Sequence, residues 1–115
     1  MGEPHHFEFR IQPPSTVARD EFFTIQVAIL DRSGNVVPLN GTQIYVGLWE
    51  EGDDHPSNGD LMGDRFVDTV NGVATFNLAV KDKGRFRFRA RSDFLPKHLG
   101  PYGPELDSNW FTVDD

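Results

Sequence analysis

Apolar and polar residues alternate most regularly between Arg85 and Ser92. Arginines at four alternate positions occupy one parity of this segment, while Phe86, Phe88 and Ala90 occupy the other. A strict period of two places successive side chains on opposite faces of a strand. This pattern therefore predicts a half-buried β-strand, with phenyl rings in the core and arginines in water.

The preceding segment, Val73 to Val80, alternates in the same manner, with Ala74, Phe76 and Leu78 on one parity. Residues 81–84 (KDKG) join the two segments, and the glycine can adopt the positive φ that a short turn requires. We therefore expect the two segments to form an antiparallel pair at the centre of an all-β domain.

Further segments have the composition or the alternation of strands, and none has the 3.6-residue period of a helix. They cover residues 7–11, 22–30, 42–49, 64–70 and 109–113. Residues 22–30 alternate throughout, which favours a central strand, whereas Pro13-Pro14 after the first segment favours an edge position. Asn71-Gly72 is typical of a hairpin turn. About seven strands predict a two-sheet, antiparallel Greek-key sandwich of the immunoglobulin type.

Length and composition fit one domain of this class. The chain has 115 residues, and its 10 Phe, 11 Gly and 8 Pro suit short strands around an aromatic core. We expect a single domain over residues 1–115, with residues 1–6 frayed. Cysteine is absent, which excludes disulfides and thiolate chemistry. The net charge of −7 disfavours nucleic-acid partners, and no apolar run is long enough for membrane insertion.

Core and turn positions along residues 7–113 resemble the bacterial immunoglobulin-like domains of intimin- and invasin-type adhesins. The matching segments are Phe23-x-Ile25-x-Val27-x-Ile29-x-Asp31-x-x-Gly34-Asn35, Asn71-Gly72-Val73-Ala74-Thr75-Phe76-x-Leu78, Gly84-x-Phe86-x-Phe88-x-Ala90-x-Ser92 and Ser108-Asn109-x-Phe111-x-Val113. The resemblance implies a non-catalytic structural or spacer module of a secreted or cell-surface protein, with neighbouring domains as partners. The half from Gly84 to Val113 also resembles filamin-type repeats, which would imply a cytoplasmic scaffold that binds a peptide along an open edge.

The arginines between residues 85 and 91 form the first candidate site. If their strand lies between residues 42–49 and 109–113, its outer face meets the aromatic side chains of both neighbours. Aromatic platforms with planar cationic donors suit sugar rings, acidic groups or a protein surface. Alternatively, the arginine stems only cover exposed aromatics and pair with carboxylates across strands. The ligand-binding set predicted for a carbohydrate or protein partner is Arg85, Arg87, Arg89, Tyr45, Trp49 and Trp110.

An acidic loop over residues 50–63 forms the second candidate site. A carboxylate-rich loop can supply several of the oxygen ligands that calcium prefers, although the spacing does not match an EF-hand. The alternative is a solvated loop without metal, and apart from calcium here we expect no cofactor. The candidate calcium ligands are Asp53, Asp54, Asp60 and Asp64.

The remaining chemistry gives little support for catalysis. His5-His6, His55 and His98 are too scattered in sequence to predict a zinc site. The chain has no nucleophile elbow and no phosphate-cradling glycine loop, and paired carboxylates need a concave site that a filled sandwich does not offer. We therefore expect no enzymatic activity. Residues 93–107, which contain three prolines, are predicted to be one long loop.

Overall fold

The computed structural model describes residues 2–93, 95 and 105–115, which form ten strands and one three-residue 3-10 turn at Asn58–Asp60. The strands are β1 (His6–Ile11), β2 (Thr16–Ala18), β3 (Phe23–Leu30), β4 (Gln43–Glu50), β5 (Leu61–Met62), β6 (Phe66–Asp68), β7 (Val73–Val80), β8 (Gly84–Arg91), β9 (Glu105–Asp107) and β10 (Phe111–Asp114). Sheet A has the order β1-β3-β7-β5, and sheet B has the order β2-β10-β8-β4-β6, with β9 added to β8. The predicted two-sheet, all-β sandwich is confirmed. Within the described ranges, no helix has the length and hydrophobicity that a membrane crossing requires.

The core lies between the two sheets and is built from the inward parity of each strand. Phe23 of β3 lies across from Phe88 and Phe111 of sheet B, with ring centroids 5.9 and 5.6 Å apart. Such aromatic pairs contribute about 0.5–1.5 kcal/mol beyond the area they bury. The residues expected to share one interior are all buried there: Phe23, Val46, Phe76, Phe88 and Phe111.

The expected antiparallel pairing of β7 with β8 is wrong. β7 pairs with β3 and β5 in sheet A, whereas β8 pairs with β4, β9 and β10 in sheet B. Residues 81–83 therefore carry the chain from one sheet to the other, and β8 begins at Gly84 with a φ of +150°. Alternation alone could not separate the two arrangements, because a strand has the same period whichever strand it pairs with.

The turn predicted at Asn71-Gly72 is present. Both residues have positive φ, 51° and 83°, as a type I′ turn requires. The flanking Val70 and Val73 exchange backbone hydrogen bonds of 2.9 and 3.1 Å. A Cβ at Gly72 would collide with the carbonyl oxygen of Val37, so a close backbone approach requires glycine here as well.

The predicted edge position of β1 and central position of β3 are confirmed, and part of the segment predicted to fray, residues 1–6, has regular backbone. β1 lies at an edge of sheet A and β3 lies inside it, as expected. β1 begins at His6, and the N–H of His5 donates to the carbonyl of Leu30 at 2.8 Å. Regular backbone therefore extends into the segment expected to fray.

The prediction of a loop throughout residues 93–107 is wrong at its end. Residues 105–107 form β9, which pairs antiparallel with residues 89–91 of β8. The sequence Glu-Leu-Asp places a carboxylate on either side of a partly buried leucine, and these carboxylates match the alternating arginines of β8. Residues 94 and 96–104 of the predicted loop lie outside the described residues.

The first strand starts at one pole of the sandwich, and the last strand finishes at the opposite pole. β1 starts at His6, which pairs with Leu30 at the end of β3, and we call this end the N-terminal pole. β10 finishes at Asp114, whose carbonyl accepts a hydrogen bond from Arg19; the next residue, Asp20, donates to Val80 at the end of β7. We call that end the C-terminal pole. The molecule is 45 Å in its largest dimension and 26 by 20 Å across.

Candidate functional site

The arginine ladder (Arg85, Arg87, Arg89 and Arg91) lies on the outer face of sheet B. Phe86, Phe88 and Ala90 of the same strand are fully buried, so the opposite parity must point outward. β4 lies on one side of β8, and β9 and β10 lie on the other, as the sequence predicted for residues 42–49 and 109–113.

Two tryptophans contact the arginine ladder, Trp49 in β4 and Trp110 immediately before β10. The guanidinium carbon of Arg89 lies 4.6 Å from the ring centroid of Trp49, and that of Arg87 lies 4.5 Å from Trp110. These separations fall within the range of cation–π contacts. Tyr45 lies on the same face and lines a cleft with Trp49 and Arg89, and its ring stacks on Phe66 with centroids 5.3 Å apart.

Carboxylates on β9 accept hydrogen bonds from the ladder. Arg89 donates from Nε and Nη2 to Asp107 at 2.8 and 3.4 Å, and Nη2 of Arg87 lies 3.2 Å from the same carboxylate. The hydrogen bond to Asp107 raises the pKa of Arg89, while partial burial opposes it. Nε of Arg91 donates to Glu105 at 2.6 Å. β9 therefore neutralises much of the charge on β8.

The first arginine of the ladder has its acid partner outside β9. Nε of Arg85 donates to Glu51 at 2.9 Å. Within the described residues, the four guanidiniums of the ladder therefore pair with the carboxylates of Glu51, Glu105 and Asp107. The contacts are those of the structural interpretation, in which arginines cover aromatic rings and pair across strands. Ligand binding by this face stays a prediction.

Several residues of this face were not in the predicted set. Glu105 and Asp107 fall within the predicted loop over residues 93–107, although their alternation matches that of the arginines. Arg65 and Asn58 also line the outer face of sheet B, beside Trp49 and Arg89. No periodicity marks either residue, because Asn58 belongs to a connection and Arg65 comes just before the short strand β6.

The four candidate calcium ligands are not brought together. Asp54 forms a 3.1 Å contact with His55; their hydrogen bond lowers the pKa of Asp54 and raises the pKa of His55. Asp60 is part of the 3-10 turn, and its carbonyl accepts the N–H of Lys81. Asp53 and Asp64 are exposed. Across the described ranges, no group of three or more potential ligands could hold a metal ion. Calcium binding by the acidic loop stays a prediction.

The histidines do not converge either, as far as they are described. His5 and His6 contact each other through their Nδ1 atoms, 3.0 Å apart, at the N-terminal pole. His55 lies in the acidic loop next to Asp54. His98 lies outside the described residues.

Comparison with known proteins gives matches at the level of structure. No family model matches the sequence, and no curated protein matches it. The D00-D0 domain of intimin matches with a TM-score of 0.64 at 14% identity, covering 100% of this chain and 50% of that chain. Domains 4 and 5 of the S-layer protein SbsC match with a TM-score of 0.59 at 12% identity, covering 97% and 53%. The T24K form of superoxide reductase (neelaredoxin) from Ignicoccus hospitalis matches with a TM-score of 0.57 at 18% identity, covering 97% and 82%.

These likenesses show the fold. The chain has an immunoglobulin-like β-sandwich fold, which confirms the fold inferred from its sequence. It spans about half the length of the intimin and S-layer structures that it matches. The matched structures include domains of intimin and of an S-layer protein as well as an enzyme, and at these identities no activity carries over to this chain.

Proposed function

We propose that this chain is a non-catalytic spacer module that holds neighbouring parts of a longer secreted or cell-surface protein at a fixed separation. The observation that carries the proposal is the placement of its first and last strands at opposite poles of a sandwich 45 Å in its largest dimension. Segments joined to the two ends would leave in opposite directions, which is the geometry that a spacer needs.

The terminal strands are integrated into the sheets, so the ends cannot swing freely. β1 forms five registered residue pairs with β3, and β10 lies between β2 and β8 with three pairs to each. Because β2 pairs in parallel with β10, the start of the chain also clamps its end. A displacement applied to either end would therefore be transmitted to the whole sandwich.

Ion pairs tie down the last residue at the C-terminal pole. Asp115 lies 3.1 Å from both Arg19 and Lys83, which belong to two different connections. Each pair is exposed and contributes about 0–1 kcal/mol. Together they orient the point at which a following segment would leave.

The structural neighbours support the setting of the proposal. The intimin and S-layer structures each contain this fold as one part of a longer chain, next to further residues. One of these proteins is named for a surface layer. A module with this fold and with termini at opposite poles would act there through its shape.

The experiment places the chain between two reporter domains that carry one spin label each. A Gly/Ser linker of 115 residues is the control, because it is a flexible coil with a broad end-to-end distance of about 60 Å. We expect the chain to give one narrow distance distribution that salt and viscosity leave unchanged. A distribution as broad as that of the linker, or a distance showing both reporters at the same pole, would refute the spacer proposal.

The parent gene tests the cellular setting separately. A signal peptide and further copies of this domain would support a secreted or surface spacer. An upstream actin-binding domain would instead support the scaffold alternative.

A further inference from the structure

The outer face of sheet B contains a cleft of about 70 Å³ beside the arginine ladder. Its lining includes Gly47, Trp49, Asn58, Arg65, Arg89 and Arg91. A cavity measured in this way needs about 10–15 Å³ to hold one water molecule, so the cleft has room for a group the size of a carboxylate or sulfate. The cleft is distinct from the spacer geometry and does not depend on it.

Two side chains that line this cleft, those of Trp49 and Asn58, carry hydrogen-bond donors. Gly47 has no side chain, and a Cβ at its position would lie 3.5 Å from Oδ1 of Asn58, 3.6 Å from Nε1 of Trp49 and 3.9 Å from Nδ2 of Asn58. Both nitrogens carry donor hydrogens only. Neither donates a hydrogen bond to any described residue. The glycine therefore leaves open the space that both donors border.

The orientation of Asn58 is fixed by its other side-chain atom. Its Oδ1 accepts the backbone N–H of Leu48 at 2.8 Å, which leaves the amide NH₂ for other partners. The N–H of Ser57 donates to the carbonyl of the same leucine at 2.6 Å. The connection is thus hydrogen-bonded to β4 in both directions, and the donor is held in place before any ligand arrives.

Three guanidiniums line the cleft together with these donors. Arg89 and Arg91 are held by the carboxylates of β9, and their side chains are only 22% and 25% exposed. Arg65 lies over the ring of Phe66 at 4.5 Å, and its Nη1 lies 3.4 Å from the carbonyl of Val46. Arg65 forms no ion pair with a described residue. Its charge is therefore available to a ligand.

We infer that this cleft binds a small oxyanion, the carboxylate or sulfate group of an acidic ligand. The lining combines neutral donors, two guanidiniums held by carboxylates and Arg65, which has no ion pair among the described residues, and this combination matches the needs of such a group. The exposed carboxylates of the acidic loop act against long-range attraction. Salt screens their effect beyond about 8–10 Å.

The test titrates the full chain with sodium sulfate and, separately, with sodium glucuronate, at constant ionic strength against sodium chloride. Nuclear magnetic resonance follows the indole N–H of Trp49, the side-chain NH₂ of Asn58, and the indole N–H of Trp110 as an internal reference. We expect saturable shifts of the first two signals and little change at Trp110. Saturation by sulfate alone would assign a tetrahedral anion, and saturation by glucuronate alone would assign a carboxylate.

Two variants test the assignment of the donors. Asn58→Asp keeps the oxygen that accepts the Leu48 N–H but replaces the NH₂ with a second carboxylate oxygen, and we expect affinity to fall at least tenfold. Arg65→Gln should weaken binding about tenfold, since a hydrogen bond to a charged group is lost. Arg10→Gln is the matched control, because Arg10 lies on β1 in sheet A and pairs with Glu8.

Melting temperatures of the variants establish that each one is folded. Equal and unsaturated shifts at both indoles would overturn the inference. Wild-type affinity in folded Asn58→Asp would overturn it as well.

Discussion

Replacing Asp107 with alanine tests whether β9 clamps the arginine ladder. Asp107 accepts two hydrogen bonds from Arg89 and forms an ion pair with Arg87. The substitution removes all three contacts and leaves two guanidiniums next to each other without that carboxylate. Leu106, which packs against the core, is unchanged, so the loss measures the polar clamp rather than the burial of β9.

The size of the loss follows from the partial burial of the contacts. The side chain of Asp107 is 29% exposed and that of Arg89 is 22% exposed. An exposed ion pair is worth about 0–1 kcal/mol, whereas removing one partner of a fully buried pair costs about 3–5 kcal/mol. We therefore expect Asp107→Ala to lower the free energy of unfolding by about 2 kcal/mol. Since unfolding entropy is about 2.1 cal/mol/K per residue, this corresponds to a fall in Tm of about 8 °C for a chain of this length.

Urea and thermal unfolding of the wild type and the variant provide the assay. Glu51→Ala is the matched control, because Glu51 receives a 2.9 Å hydrogen bond from Arg85 in the same ladder but is 57% exposed. Glu51→Ala should lower the free energy of unfolding by less than about 1 kcal/mol. If both substitutions cost the same small amount, the clamp contributes nothing and the reasoning from burial is wrong. A double-mutant cycle that combines Asp107→Ala with Arg89→Ala would measure the coupling free energy between these two side chains.

Four further predictions test other parts of the account. Phe111→Ala removes a fully buried ring at the centre of the core and should cost about 3–5 kcal/mol in urea unfolding; a loss below 1 kcal/mol would contradict the packing. Gly72→Ala should lower Tm more than Gly34→Ala, because both have positive φ but only Gly72 faces a colliding carbonyl. Calcium should raise Tm, and a chelator should reverse the rise, if the acidic loop binds it; no response would remove that site. The pKa of His55, followed by nuclear magnetic resonance, should lie above that of a free histidine and fall in Asp54→Asn; any stabilisation from the pair is lost as pH rises through the raised pKa.

Period-two alternation predicted the long strands and the core because burial on one face is a local property of the sequence. Phe23, Phe76, Phe88 and Phe111 all lie where their parity placed them. The same alternation says nothing about which strands are neighbours. The short connection between β7 and β8 therefore predicts a hairpin, whereas residues 81–83 in fact pass from one sheet to the other.

Part of the candidate site was also readable from the sequence. The contacts of Arg87 with Trp110 and of Arg89 with Trp49 follow from the predicted strand order. The partners Glu105 and Asp107 were missed because the proline-rich residues before them made the whole segment look like a loop. Asn58 was missed because its role depends on one hydrogen bond to β4, and no sequence pattern encodes such a bond.

Single-molecule pulling between the two ends tests most directly whether this module is built to keep its poles apart. With β1 starting at one pole and β10 finishing at the other, end-to-end force loads the hydrogen bonds of both terminal strands in shear. Attachment at residues 6 and 33, which are both at the N-terminal pole, would instead separate β1 from β3 one pair at a time. We predict a single unfolding event at clearly higher force in the end-to-end geometry. Equal or lower force in that geometry would contradict the spacer account.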